Sequence, residues 1–577
     1  MRTMHLGSGG LLVSAALLLS GTALAQDPPQ PEATTAIAER ESVTASDFMI
    51  ATAHPLATQA GYDVLAAGGT AADAMVAVQA MLGLVEPQSS GLGGGAFLVY
   101  WDADAGELVT YDAREKAPLA ADDTYWLNAD GETIPFMEAV VGGRSAGVPG
   151  TPMLMEVLHA DHGSMEFGDL LQAAIDTATN GFSVSQRMAD SIAGTDGLDT
   201  FVATGEYFLP GGTPLAEGTN LVNPEYAATL QLFAEQGSEP FYTGEIAEDI
   251  VAALNTNINP GMLTMEDMAA YEVVKRDPVC MNYRGYDICG MGPPSSGALT
   301  VGQIMGLLEP FDMAAIGEGV EARHLFAEAS RLAFADRGLY IGDTDFVNMP
   351  DGLLDEAYLA ERSALIDPDA SMGVAQPGTP PGWSQALAPD TERPRHGTSH
   401  FVILDSHGNA ISATTTIESG FGNRVMTRGY LLNNELTDFS FAAEANGLPI
   451  ANRVEAGKRP RSSMAPTIVF ADGAPVLLTG SPGGANIIDY TALSLVAILD
   501  WEMDPQAAID LPHVTNLNGR TSVEEGEGAE EMAAALTALG HEVAIANLNS
   551  GLHVIQITED GLIGAADKRR EGKVMGE

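Results

Sequence analysis

The chain has 577 residues, 45% of them hydrophobic, and a formal net charge of −52. Such a charge repels a phosphate backbone and excludes a nucleic-acid binder; it reads as a solvated acidic coat rather than a surface that captures basic partners. The length suits several domains or one large layered unit with an ample core.

The opening "MRTMHLGSGGLLVSAALLLSGTALAQDPP" carries Arg2, an apolar run from Leu11 and the small-residue site Ala23-Leu24-Ala25. This pattern predicts a secretory signal peptide over 1–25. The apolar run is too short for a spanning helix, and no later stretch predicts a membrane span. The expected location is the periplasm or the exterior. Residues 26–45 read as a flexible lead-in. Helices are predicted on either side of Gly68-Gly69, with Thr70 and Asp73 as the cap of the second. "GAFLVYWDADAGELVTYDARE" reads as a hairpin turning at Asp104-Ala105-Gly106.

Residues from about 150 to 360 read as mostly helical. Within them lie the two cysteines, Cys280 and Cys289, in "PVCMNYRGYDICGM". A two-residue turn at Arg284-Gly285 sets them opposite each other on a non-hydrogen-bonded pair, about 4.5 Å between Cα atoms and within disulfide reach. An exported protein can oxidise that pair; two separate thiols are the alternative. The spacing is not a zinc pattern, and no metal is expected. Residues 373–397 are rich in Pro and Gly and read as a mobile connector. Beyond Thr398 strands dominate, with a helix near 485–500. There are no repeats, and the interleaving predicts a layered α+β or α/β architecture.

"RHGTSHFVILDSHGNAISATTTIE" opens a strand abruptly with Gly397-Thr398. Gly397 tolerates backbone angles that other residues resist. Attack of the Thr398 hydroxyl on the preceding carbonyl would cut the chain and free an α-amino group. That amine, with a reference pKa near 7.7–8, can act as base to its own hydroxyl. His400 lies two residues along the same strand face and is read as structural, because the free amine makes a triad unnecessary.

Several motifs accompany this pair: Asp112-Ala113-Arg114-Glu115, Thr414-Thr415-Thr416, Leu432 to Phe439 ("LNNELTDF"), Arg459 to Met464 ("RPRSSM") and Gly480-Ser481-Pro482-Gly483-Gly484, with "SSGLGGGAF", "RSAGVPGTP" and "ADRGLYIGD" further upstream. Together, in this order, they resemble the γ-glutamyltransferases over essentially the whole mature chain. The resemblance implies the four-layer αββα sandwich of N-terminal nucleophile hydrolases. It also implies a precursor that cleaves itself into a large chain, 46–397 after the lead-in, and a small chain, 398–577, held together as a heterodimer. Thr398 is similar to the family nucleophile, Thr416 to the threonine that orients it, and Thr414 to a further positioning residue. Gly483 and Gly484 look like the oxyanion donors, since successive N–H groups in a glycine turn form an anion nest.

A γ-glutamyl donor ends in a carboxylate and an ammonium. Arg114, Ser462 and Ser463 suit the first, and Asp438, Glu435 and Glu418 the second. Glu418 stands where familiar members carry Asn, and an Arg114–Glu418 pair is its alternative. The stretch between Phe439 and Lys458 is short and lacks Tyr, as a reduced lid would. The implied partners are glutathione or another γ-glutamyl compound, with water, an amino acid or a dipeptide as acceptor. No cofactor is implied. A cephalosporin or glutaryl acylase and an uncleaved acidic binding protein are the alternatives.

Overall fold

The computed structural model describes residues 37–390 and 397–577. The expected signal peptide, most of the lead-in and residues 391–396 of the connector lie outside the described residues.

Two seven-stranded antiparallel sheets form the centre. The first runs, in spatial order, Lys573–Gly576, Met49–Thr52, Thr398–Leu404, Ala410–Thr416, Gly95–Asp102, Glu107–Ala113 and Val274–Arg276. The second runs Val43–Ala45, Gly561–Ala566, His553–Thr558, Ala474–Gly480, Thr467–Ala471, Tyr286–Gly290 and Val279–Tyr283. Alternation along each strand assigns its side chains to two layers. From the first sheet, Ile50, Phe401, Ile403, Ile411 and Ala413 pack against Ala74, Val78 and Leu82 of the helix Ala71–Val85. Their neighbours Met49, Ala51, Val402, Leu404 and Ala410 point the other way and meet Ile468, Leu478 and Ile555 of the second sheet. The outer face of that sheet, with Val469, Leu477 and Val554, is covered by the helices Gly297–Leu308, Val320–Tyr340 and Ile487–Leu499. The order helix, sheet, sheet, helix is the αββα sandwich expected from the sequence.

Local chemistry fixes the entry to this frame. The helix Pro55–Ala66 is followed by Gly68 at φ 88°. The next helix starts at a capping box, in which Thr70 accepts from the Asp73 amide and the Asp73 carboxylate from that of Thr70. The hairpin Gly95–Asp102 to Glu107–Ala113 turns where the sequence places it. The Val279–Tyr283 and Tyr286–Gly290 strands pair in the register read from the turn, and Cys280 and Cys289 are bonded with Cα atoms 4.1 Å apart.

Two expectations need correction. The lead-in is not flexible to residue 45: Val43–Ala45 is an edge strand paired with Leu562–Gly564. Nor is the described part of the connector loose. Ala375 N–H donates to Asn518, Gly378 N–H to Asp336, and Asp390 receives Arg461 at 2.9 Å. Proline and glycine prevent regular structure there, but side chains from the sandwich hold the backbone.

Candidate active site

Thr398 is the first residue of a central strand and is 5% exposed. Its antiparallel partner is Thr416, and His400 faces Thr414 in the same register. All four residues point toward the second sheet, because they alternate with Phe401, Ala413 and their helix-facing neighbours. The Thr398 hydroxyl lies 3.5 Å from that of Thr416. Thr416 Oγ1 donates to the Gly397 carbonyl at 2.5 Å and accepts from the Glu418 amide at 2.8 Å. The carbonyl before Thr398 and the Thr398 hydroxyl thus share one anchor. A Cβ on Gly397 would lie 2.2 Å from the Glu418 carbonyl oxygen, so only glycine fits there. Behind the strand, Ser399 donates to Glu86 at 3.1 Å, and Arg570 Nη1 donates to the Thr398 carbonyl at 3.2 Å.

His400 Nδ1 bonds Thr414 at 2.9 Å and the ring stacks on His553 at 6.2 Å. Burial holds its pKa well below the ordinary histidine value, with His553 adding to the effect. A poorly basic ring tied to Thr414 fits the structural reading. A Cβ on Gly480 would lie 2.3 Å from this ring, so that glycine lets the second sheet close over it.

Gly483 and Gly484 have φ of 133° and 59° and join the strand Ala474–Gly480 to the helix Ile487–Leu499 through one 3₁₀ turn. Gly484 lines the same cleft as Thr398, Thr416, Glu418 and Arg114.

Across the cleft Arg114 is buried at the end of its strand. Its Nε donates to the Pro460 carbonyl at 3.1 Å, Nη1 to Glu435, and Nη2 to Asp438 at 2.5 Å. Burial works against this charge, but Glu435, Asp438 and Glu115 outweigh it and hold the guanidinium above its ordinary range. Burial raises Glu115 to about 7 against the pull of Arg114, and raises Glu435 well above the usual carboxylate range. Glu435 and Asp438, expected from the sequence at a substrate ammonium, also pair with Arg114. The Arg114–Glu418 alternative is not formed. Glu418 receives Asn434 Nδ2 at 2.6 Å and the Ser419 hydroxyl at 2.5 Å, on a backbone with φ 75°.

Ser462 and Ser463 complete the lining. Ser463 accepts from Arg337 at 2.7 Å, and Arg337 also donates to Ser296 at 2.8 Å. This explains the "ADRGLYIGD" stretch: Arg337 braces the serine loop, while Asp336 receives Tyr358, Gln303 and the Gly378 amide. Sequence reasoning gave no role to Asn433 and Asn434. Asn433 bonds Gly93 and Gly147, tying together the two glycine-rich motifs. Both asparagines lie inside a quoted motif, so the signal was present without its meaning. The short segment after Phe439 forms a small hairpin, Glu444–Ala445 with Leu448–Pro449, and Phe441 stacks on Trp126 at 4.7 Å.

Among the described residues one group has metal-ligating composition, His324, Glu328 and His541. It does not line the cleft, and Arg331 already donates to both Glu328 and His541.

A threonine heading a central strand of an αββα sandwich, facing an arginine–carboxylate cluster, is the arrangement of an N-terminal nucleophile hydrolase. The family model "Gamma-glutamyltranspeptidase" matches residues 57–577. The chain is 36% identical over 544 residues to a glutathione hydrolase proenzyme of Bacillus subtilis (strain 168), covering 92% of this chain and 91% of that one. It is 35% identical over 580 residues to a glutathione hydrolase proenzyme of Escherichia coli (strain K12), covering 96% and 97%. A crystal structure of cephalosporin acylase from Bacillus halodurans superimposes with a TM-score of 0.82 at 27% identity, covering 94% and 97%. The chain belongs to the γ-glutamyltranspeptidase family.

Proposed function

We propose that this enzyme matures by cutting itself between Gly397 and Thr398 and then transfers γ-glutamyl groups from glutathione or a similar amide to water or an amino compound. The observation that carries the reading is the shared hydrogen bonding of Thr398 Oγ1 and the Gly397 carbonyl to Thr416, in the cleft that also holds Arg114.

In maturation Thr398 Oγ1 adds to the Gly397 carbonyl carbon while Thr416 stabilises the developing oxyanion. The C–N bond breaks, the nitrogen takes a proton, and the resulting ester is hydrolysed. Gly397 ends as a carboxylate and Thr398 as a free amine, leaving large and small chains associated in one sandwich. In turnover that amine removes the hydroxyl proton as Oγ1 attacks the γ-carbonyl. Gly483 and Gly484 donate to the tetrahedral oxyanion. The substrate carboxylate binds Arg114, Ser462 and Ser463, and its ammonium meets Asp438, Glu435 and Glu418. The amine fragment leaves with the proton, and water or an amine then releases the acyl group. Export through the segment 1–25 is part of the same reading; among the described residues no helix is long and apolar enough to cross a membrane.

The similarity to cephalosporin acylase supports a second reading, a deacylase for glutaryl amides. The Arg114–Asp438 cluster favours an α-amino acid head instead. Release of aniline from a γ-glutamyl anilide, with and without glycylglycine, tests the proposal. Turnover of the γ-glutamyl substrate far above a glutaryl anilide is expected; the reverse preference would move the assignment to the acylases.

A further inference from the structure

A second cavity of about 300 Å³ lies between the helix Val320–Tyr340 and a small sheet formed by Val514–Asn516, Thr521–Glu524 and Val543–Ala546. It shares no lining residue with the Thr398 cleft. Arg323, His513, Val514, Val523, Ala529 and Met532 line it. Arg323 is 3% exposed, yet its side chain makes no hydrogen bond or ion pair among the described residues; its Nη1 is buried without a partner. Its guanidinium rests 5.5 Å from the Trp501 ring centroid. Burial lowers its pKa to about 10, so it is charged at neutral pH.

Glu318 and Glu524 are the carboxylates whose charge acts on it, and Glu524 is already committed. Glu524 receives Arg569 at 2.5 and 2.8 Å and the His513 amide at 2.8 Å. Glu318 and Glu527 sit on the exposed rim. His513 holds Ser550 at 2.7 Å through Nε2, and Ser550 donates to Asp567, which makes His513 Nε2 the donor and leaves Nδ1 a bare acceptor. The helix Ala529–Ala538 begins at this wall with Gly528 as an N-cap that offers no side-chain hydrogen bond. A buried, unpaired guanidinium is costly unless something pairs with it.

We propose that this cavity binds a small monocarboxylate with an apolar body, its carboxylate on Arg323 and its chain against Val514, Val523 and Met532. The rim glutamates repel any anion, a dianion such as phosphate more strongly than a monocarboxylate. Apolar walls with one convergent cation are the usual composition of a small-molecule site.

Titration calorimetry of hexanoate into the mature enzyme tests this, with hexanamide as the neutral isostere. Hexanoate should give saturable one-site heat and hexanamide none. Arg323→Met should weaken hexanoate about 10- to 100-fold, as loss of a charge-assisted pair implies. Wild-type tryptophan emission should change with the same midpoint. Trp501→Phe should abolish that change while keeping the heat, a check that does not depend on the arginine variant folding. Absence of saturable heat, equal binding of hexanamide, or wild-type affinity in Arg323→Met would overturn the proposal.

Discussion

Replacing Thr416 by valine isolates one oxygen atom, because the two side chains have nearly the same shape. That oxygen donates to the Gly397 carbonyl, accepts from the Glu418 amide and lies 3.5 Å from the Thr398 hydroxyl. The buried Glu418 amide would lose its partner, at a stability cost of about 1–3 kcal/mol. The Gly397 carbonyl would lose a donor in the position where negative charge develops during self-cleavage. Removing one such donor costs about 2.7–4 kcal/mol in the transition state, or roughly 100- to 1000-fold in rate. Purified precursor followed by denaturing electrophoresis over time gives the rate directly. A Thr416→Val precursor that splits within about threefold of the wild-type rate would refute the role given to this hydroxyl.

Other consequences are testable on the same material. Arg114→Lys keeps the charge but loses the fork that reaches Glu435 and Asp438, so kcat/KM for a γ-glutamyl anilide should fall about 10- to 100-fold; steady-state kinetics measure it. Asp489, raised by burial to about 7, binds a proton in the folded chain that the unfolded chain releases near pH 4. Stability from this group is therefore present at low pH and lost as pH rises from about 4 to 7, by at most about 1.4 kcal/mol per pH unit. Urea unfolding of an uncleaved Thr398→Ala chain at several pH values should show a slope of that sign, and Asp489→Asn should reduce it, Glu115 and Glu435 supplying the remainder. The Cys280–Cys289 bond closes a hairpin of sequence separation 9, worth about 2.7 kcal/mol by loop-closure entropy. Replacing both with serine should lower stability by up to that amount without changing kcat, since neither residue lines the cleft.

Local features were readable because their causes are local. The Thr70–Asp73 capping box, the turn at Arg284-Gly285 and the break at Gly68 each need only a few neighbouring residues. Thr416 and Thr414 were picked out through the family resemblance, and the register places both on the Thr398 face. What escaped depends on long-range pairing. Val43–Ala45 becomes a strand only because Leu562–Gly564 offers it an edge. Residues 373–390 look loose in sequence, yet Asp336, Asn518 and Arg461 tie them down. That the acids expected at a substrate ammonium also pair with Arg114 was not readable, since spacing alone cannot say which opposite charges meet across 321 residues. Arg323 gave no signal at all, because its burial beside Trp501 is set by the packing of one helix on a distant small sheet.

The chemistry rests on a new chain terminus that serves as the base for its own side chain. Amino-terminal sequencing of the smaller fragment from catalytically competent protein is the most direct measurement. It should read Thr-Ser-His-Phe, beginning at Thr398. Any other first residue, or full activity in a chain that is still continuous through 397–398, would contradict the account.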